Sequence, residues 1–431
     1  MIVLSFNVRE LGGSLKLKKV KELVQSQKVD FLPVQETKME VITENMCVNI
    51  WGDQDCDWVY LPSVGSSGGI LSMWKKSEAK FIYSFVGESF VEVCLVWGPC
   101  AKRCFVINIY SKCDLVAKRR LWNTLVELKN VLRSGGWCFV RDFNAVTESG
   151  ERRGVNVEPN RELLLEINSF GEFHRDLEVL DVPLLGRRFT WYHPNGCTMS
   201  RIDRALISED WEVLWGSVSL WALPRDVSDH CPLVLKPESW DWGPKPCRFN
   251  NFWLQNDSFK KVVEEAWVEG AVGGWMGFVL NCKLKRLKVV IKDWNRMEYG
   301  EVDKKVVILK EEIASLDDIS ETRMLSSLEV EVRKNKFQVL WRLFKCKEAM
   351  IFQRSKSKWL KEGDANSKFF HKCVKARAHR NGIKALKVGG EWVCSPSEVR
   401  RVVVDHFSAH FASDQWERPR LDGVDFKKIS E

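Results

Sequence analysis

Asp226-Val227-Ser228-Asp229-His230-Cys231-Pro232-Leu233-Val234 sets an Asp-His dyad just before a short apolar strand. Its meaning depends on polar residues far upstream. Asn7 follows strand-like Ile2 to Ser5, Glu36 follows Phe31 to Val34, and Asp142 with Asn144 follows Trp137 to Val140. Tyr110 ends Ile107-Asn108-Ile109-Tyr110, and Asp203 lies in Ser200-Arg201-Ile202-Asp203-Arg204. Each sits at or near the end of an apolar run, and strand ends are where an α/β sheet gathers distant side chains around a ligand. Taken singly these residues are ordinary: an Asp after a strand caps a turn, and a buried His or Tyr is structural. Their recurrence through the first half of the chain argues for one site.

The segments between them supply a scaffold. Met1 to Phe6 and Val29 to Gln35 read as buried strands, although Pro33 cannot donate to a sheet ladder. Leu17, Val20 and Val24 hold helical spacing, predicting a helix over about 15–28. Ile70 to Trp74, Phe81 to Val86, Val91 to Trp97 and Arg103 to Tyr110 read as strands with turn signals between them. The stripe Leu121, Leu125, Leu128 and Leu132 predicts a helix over about 115–133, ended by Gly135-Gly136, and a second helix covers Arg161 to Phe173. Phe189-Thr190-Trp191, Arg201 to Ile207, Val218 to Leu223 and Pro232 to Lys236 complete the strands. Several strands run consecutively, so a purely parallel doubly wound sheet fits poorly, and two packed sheets with helices outside fit better. Near residue 238 the texture changes to Pro, Gly and Trp. Helical patterns then take over: Phe259 to Trp267, Val279 to Met297 and a long charged stretch from Val302 to Phe352.

At 431 residues, 45% hydrophobic and 29% charged, the chain has the composition of a globular protein of two or three domains. It shows no signal-peptide pattern and no apolar run of the roughly 20 residues a membrane span needs, so a nuclear or cytoplasmic protein with no membrane partner is expected. The fourteen Cys are scattered without a Cys-x-x-Cys pair, which points to reduced structural thiols rather than zinc. The net charge of +8 is uneven: Glu331 to Lys387 holds 17 Lys or Arg against four Asp or Glu, leaving the remainder net acidic. A basic segment beside an acidic-lined domain suggests a polyanion handled by two surfaces.

The candidate chemistry is that of a phosphate ester. Glu36 suits a hard divalent cation, magnesium first and manganese as the alternative. Asp142 can activate a water while Asn144, two positions on, holds a phosphate oxygen, and Tyr110 can donate to the same phosphate. His230 can donate to phosphoryl oxygens as charge develops, provided that an acid such as Asp203 orients its ring. Asp229 can position a water or assist the leaving group.

Ser5-Phe6-Asn7-Val8-Arg9, Gln35-Glu36-Thr37-Lys38, Gly68-Gly69-Ile70-Leu71, Asn108-Ile109-Tyr110, Asp142-Phe143-Asn144-Ala145, Ser200-Arg201-Ile202-Asp203-Arg204 and Ser228-Asp229-His230 occur in that order. As an ordered set they resemble the endonuclease/exonuclease/phosphatase family, and more narrowly the apurinic-type endonuclease domain of plant LINE (non-LTR) retrotransposons. The likeness covers about residues 1–238. Trp359-Leu360-Lys361-Glu362-Gly363-Asp364-Ala365-Asn366-Ser367-Lys368-Phe369-Phe370-His371 resembles the linker before reverse transcriptase in the same elements. The resemblance implies a four-layer α/β sandwich of two mixed sheets flanked by helices, followed by a mainly α-helical extension. It implies magnesium-dependent nicking of DNA that leaves a 3′-hydroxyl for target-primed reverse transcription. Glu36 would bind the metal, with Asn7 arranging the site and Asp229 near the metal or leaving oxygen. Asp142 would align or deprotonate water, Asn144 and Tyr110 would hold phosphate, and His230 with Asp203 would stabilise the transition state. Residues 239–431 would be a basic helical linker region contacting element RNA through 331–387; no Tyr-x-Asp-Asp segment is present, so the polymerase itself is expected to be absent.

The sequence also departs from that pattern. Phe6 replaces a Trp, Arg9 stands where repair members carry an acid, Glu10 and Arg141 stand where the plant pattern has Gly, and Pro33 interrupts a core strand. Two alternatives therefore stay open: a catalytically inactive remnant that binds nucleic acid, and an abasic-site endonuclease or phosphoesterase of the same fold. His406 and His410, four apart on a predicted helix, read as surface residues without a third ligand.

Overall fold

The computed structural model describes residues 1–65, 67–98, 101–131, 135–154, 161–238, 248–268, 273–300, 302–355, 374 and 381–412, with Arg141 as backbone only. The segment 359–371 that resembles a retroelement linker lies outside them. The chain forms two compact units, Met1–Asp241 with Ile383–Glu431, and Trp242–Gly382.

The first unit is built on two sheets. The larger contains β1 (Val3–Asn7), β2 (Phe31–Gln35), β3 (Cys56–Leu61), β4 (Ile70–Lys75), β11 (Leu184–Leu185), β15 (Val218–Ala222) and β16 (Leu233–Pro237), in the order β11-β15-β16-β1-β2-β4-β3. The other contains β5 (Ala79–Val86), β6 (Phe90–Trp97), β7 (Lys102–Tyr110), β8 (Gly136–Asp142), β10 (Leu180–Asp181) and β14 (Asp203–Ile207), ordered β10-β14-β8-β7-β6-β5. Both are mixed: β1 pairs parallel with β2 and antiparallel with β16, and β7 pairs parallel with β8 but antiparallel with β6. A small third sheet holds β9 (Arg152–Arg153), β12 (Trp191–Tyr192) and β13 (Met199–Ser200), in the order β12-β13-β9.

Three apolar clusters fill the three gaps of a four-layer sandwich. One lies between the sheets, with Val3, Phe31, Val106, Cys138, Val140, Ala205 and Ile207. A second joins Leu4, Phe6, Leu32 and Val34 to helices α1 (Ser14–Gln27) and α2 (Glu44–Trp51). The third joins Phe105, Ile107, Trp137 and Phe139 to α3 (Leu115–Val131) and α4 (Arg161–Asp176). Successive residues of a strand face opposite ways, so these strands are buried on both faces and read as continuous apolar runs rather than alternating ones. The α/β two-sheet architecture expected from the sequence is the one observed.

The sequence pattern missed some elements and merged others. Helix α2, capped by Thr43 accepting from the Met46 N–H, and strand β3 carry too little periodicity in too short a span. Helix α5 (Glu209–Trp215) is likewise short and is capped by Ser208. The long stretch from Val302 to Phe352 is two helices, α8 (Val302–Thr322) and α9 (Ser327–Ser355). A reciprocal capping box starts α9: the Ser326 N–H donates to the Glu329 carboxylate (2.8 Å) and the Glu329 N–H donates back to Ser326 Oγ (3.3 Å).

Pro33 is accommodated in the interior of its sheet. The β1–β2 register pairs Val3 with Phe31 and resumes at Phe6 with Val34, skipping Ser5 opposite Pro33, while β2–β4 runs unbroken. The missing N–H therefore interrupts one ladder only. Arg141 needs no glycine-like backbone, because it lies in β8, in register with Arg204 and Ile109.

In the second unit, α6 (Asp257–Val268) packs on α7 (Met276–Tyr299) through Trp253, Phe259 and Trp294. Val306, Ile313, Leu340 and Leu343 join α8 to α9, with Arg333–Asp317 and Lys336–Glu312 ion pairs alongside. Beyond it, a hairpin of β17 (Leu386–Val388) and β18 (Glu391–Val393) and helix α10 (Pro396–His410) belong to the first unit. Lys384 there pairs with Glu238 (2.8 Å), and Trp392 meets Trp221 edge-on. His406 and His410 are exposed on α10, as expected. No helix among the described residues is long and apolar enough to cross a membrane.

Glu10 has φ 92°, a region that suits glycine and strains a residue with a Cβ. It is held there by its N–H donating to the Glu36 carbonyl (2.6 Å). Glu10→Gly should therefore stabilise the fold by about 1 kcal/mol. The check is a higher urea midpoint at unchanged denaturant slope.

Candidate active site

The strand ends converge as the periodicity requires. Cys104, Val106 and Asn108 on β7, Cys138 and Val140 on β8, and Ala205 and Ile207 on β14 share the inter-sheet face of their strands with Tyr110, Asp142 and Asp203. Registration across β7, β8 and β14 sets Tyr110 beside Asp142 and Asp142 beside Asp203. The opposite sheet brings Asn7 at the end of β1, Glu36 one residue past β2, and His230 before β16, which runs antiparallel to β1. Six residues thus meet at one edge of the inter-sheet layer, three from each sheet.

Beneath them lies a buried polar stratum. Gln35 donates to Ser5 Oγ (3.2 Å) and to Asn108 Oδ1, and Asn108 donates to the Leu71 carbonyl (3.0 Å) and Ser72 Oγ (3.1 Å). These bonds fix the spacing of the sheets directly below the site.

At the centre, His230 Nδ1 is 2.9 Å from Asp203 Oδ2, and both side chains are almost wholly buried. The Asp203 N–H donates to Thr190 Oγ1 (3.1 Å), locking the strand start that carries the carboxylate. With the Nδ1 edge on Asp203, Nε2 faces the site, 4.0 Å from Asp142 Oδ2. Asn7 is central: its Nδ2 donates to Glu36 Oε1 (3.0 Å) and Asp142 Oδ2 (3.5 Å) and lies 3.4 Å from His230 Nε2. The Arg9 N–H on Asn7 Oδ1 (3.2 Å) orients that amide. Glu36 and Asn144 both adopt left-handed backbone, φ 52° and 49°, turning their side chains back after their strands.

Asn144 is tied to Asp142 by its own N–H on Oδ1 (2.9 Å), while its Nδ2 donates to the Ser111 carbonyl (2.6 Å). Asp229 sits at the rim, where its Oδ2 receives both the Arg9 guanidinium (2.6 Å) and the Trp191 indole N–H (2.8 Å). Ser228 Oγ donates to the Asn7 carbonyl (2.7 Å) and joins the dyad loop to β1.

The donor chemistry fits a divalent cation. Glu36, Asp142 and His230 each offer a ligand atom, all within 4.8 Å of one another, and carboxylate oxygens suit a hard ion. Asp229 is outside that group.

The structure thus brings Asn7, Glu36, Tyr110, Asp142, Asp203 and His230 together, with Asn144 attached through Asp142 and Asp229 at the rim. Sequence reasoning missed Thr190, Trp191 and Ser228 as supports and gave Arg9 no partner. Thr190 and Trp191 lie in an ordinary β-branched and aromatic strand pattern, and Arg9 meets Asp229 from 220 positions away, so local sequence carries no sign of either contact.

The sequence profile of the Endonuclease/Exonuclease/phosphatase family matches residues 4–230. No curated protein matches the chain significantly by sequence. Among solved structures, an AP endonuclease from Leishmania major aligns at 17% identity over 54% of this chain and 86% of its own, with a TM-score of 0.44. An AP endonuclease from Archaeoglobus fulgidus aligns at 18% identity over 55% and 99%, TM-score 0.42. The endonuclease domain of a telomere-specific non-LTR retrotransposon aligns at 14% identity over 55% and 97%, TM-score 0.40.

Burial, with Glu36 and Asp142 beside it, pushes the Tyr110 phenol well above its ordinary pKa. Folding therefore holds it neutral. Its contribution to stability is complete below the ordinary value of about 10 and is lost as pH rises through the higher folded value. In NMR of ring-labelled tyrosine, the resonance assigned through Tyr110→Phe should stay unmoved as pH rises through the ordinary phenol value of about 10. A resonance that shifts there contradicts this environment.

Proposed function

The chain belongs to the endonuclease/exonuclease/phosphatase family, and we propose that it is a metal-dependent endonuclease that nicks DNA, of the kind carried by plant LINE retroelements. The observation that supports this most is the buried Asp203–His230 pair, whose imidazole shares one small cluster with Glu36 and Asp142. The ordered motifs from Asn7 to His230 support the family chemistry, with residues 1–238 as the catalytic domain, and the likeness of the sequence 359–371 to a retroelement linker supports the retroelement branch over the repair enzymes.

In this reading Asp142 accepts a proton from the attacking water, aligned by its neighbour Asn144. The water oxygen bonds to phosphorus and the P–O3′ bond breaks, leaving a 5′-phosphate and a 3′-hydroxyl. His230, held by Asp203, donates from Nε2 to the phosphoryl oxygens as their charge grows, and Tyr110, kept protonated, donates to the same group. The departing O3′ takes its proton from a water positioned by Asp229. Glu36 would hold Mg2+, or Mn2+ in its place, with Asn7 and Asp229 arranging the surroundings; when bound, the ion supplies Lewis-acid charge at the phosphate. The basic segment 331–387, with 17 Lys or Arg, would contact DNA or element RNA electrostatically.

The full chain should convert supercoiled plasmid into nicked circles with Mg2+ and cease to do so with chelator. His230→Ala should lower the rate by about 100-fold or more. Direct extension of the nick by a DNA polymerase checks the 3′-hydroxyl. Plasmid left intact by folded protein that still binds it would favour the inactive remnant.

A further inference from the structure

Arg9 is the exposed member of a buried site. Its side chain is 50% exposed, whereas those of Asp142, Asp203 and His230 are each at most 4% exposed. Its Nη1 lies 2.6 Å from Asp229 Oδ2 and its Nε 3.8 Å from Glu36 Oε2, so one guanidinium spans two carboxylates. Asp229 Oδ2 is also held by the Trp191 indole (2.8 Å), which makes Asp229 a fixed anchor for the guanidinium. Among the described residues no hydrogen bond uses Nη2 of Arg9.

The backbone beneath is equally constrained. Arg9 has φ 45°, its N–H donates to Asn7 Oδ1 (3.2 Å), and Lys16 Nζ donates to the carbonyls of Val8 (2.9 Å) and Arg9 (2.6 Å). A guanidinium anchored along one edge keeps its other N–H groups aimed outward, the arrangement that binds phosphate through a planar fork. An incoming phosphodiester otherwise meets three carboxylates, Glu36, Asp142 and Asp229, at one strand-end cluster.

We infer that Arg9 grips a substrate phosphate next to the scissile bond and is the site's built-in second cation, neutralising Asp229 so that one divalent ion suffices. This rests on the nuclease reading above for its substrate. The part about Arg9 is separable from activity, because phosphate binding is measurable without a metal.

The test uses the full chain, wild type and as Arg9→Gln and Arg9→Lys, each checked for native circular dichroism. Binding to a short DNA duplex in chelator, across a salt series, should weaken about 10-fold in Arg9→Gln, with the salt slope reduced by about one phosphate contact. Arg9→Lys should keep the slope but lose affinity, since it retains the charge without the fork. Mn2+ affinity, read by calorimetry, should rise severalfold in Arg9→Gln and stay near wild type in Arg9→Lys, because only the first removes a cation beside Glu36. Unchanged duplex affinity and slope in Arg9→Gln, a fall in its Mn2+ affinity, or a wild type that binds no duplex would each overturn the inference. A wild type that binds through Arg9 yet never nicks would overturn the nuclease reading alone.

Discussion

The hydrogen bond between Asp203 and His230 joins the two sheets at the place where their strands end, 2.9 Å from Oδ2 to Nδ1. Asp203 starts a strand of one sheet, and His230 precedes a strand of the other. Burying either group alone costs several kcal/mol, so each is retained there because the other faces it. The bond fixes which imidazole nitrogen faces Asp142, and with it what the ring can offer a substrate. The Gln35–Asn108 stratum below acts in the same way. A polar layer whose amide donors reach their acceptors only at one sheet spacing selects that spacing over other ways of stacking two apolar faces.

Around this bond the backbone is bent out of ordinary conformations. Arg9, Glu10, Glu36 and Asn144 all have positive φ. A strand that continued straight past Gln35 or Asp142 would carry the next polar side chain out of the sandwich; a left-handed residue turns it back across the gap. The strain persists because neighbouring hydrogen bonds hold it, among them Glu10 N–H to the Glu36 carbonyl and Asn144 N–H to Asp142. These residues cluster at the same edge of the sandwich as the candidate site.

Strand β14 shows how support and chemistry alternate. Asp203 faces the inter-sheet gap, while Arg204, the next residue, turns to the opposite face and is wholly buried between Glu151 and Asp181. Arg201 pairs with the same two acids at 3.1 Å each. Burial alone would raise the Asp181 carboxyl, but these two guanidinium groups hold it below its ordinary value. The Arg-x-Asp-Arg run is thus half scaffold. Removing one member would strand a buried charge, at a cost of about 3–5 kcal/mol.

The sequence by itself determined the class of fold and the roster of the candidate site, because strand burial writes apolar runs and a polar residue ending such a run stands out against them. Asn7, Glu36, Tyr110, Asp142, Asp203 and His230 were legible for that reason. Short elements such as Glu44–Trp51 and Cys56–Leu61 were not, since a span of six to eight residues holds too few repeats to show a period. Only the tertiary structure decided who touches whom: that Thr190 locks Asp203, that Trp191 and Arg9 share one oxygen of Asp229, and that the β1–β2 ladder passes over Pro33. Those contacts arise from sheet stacking and strand register, which depend on the whole folded chain and leave no trace in the residues next door.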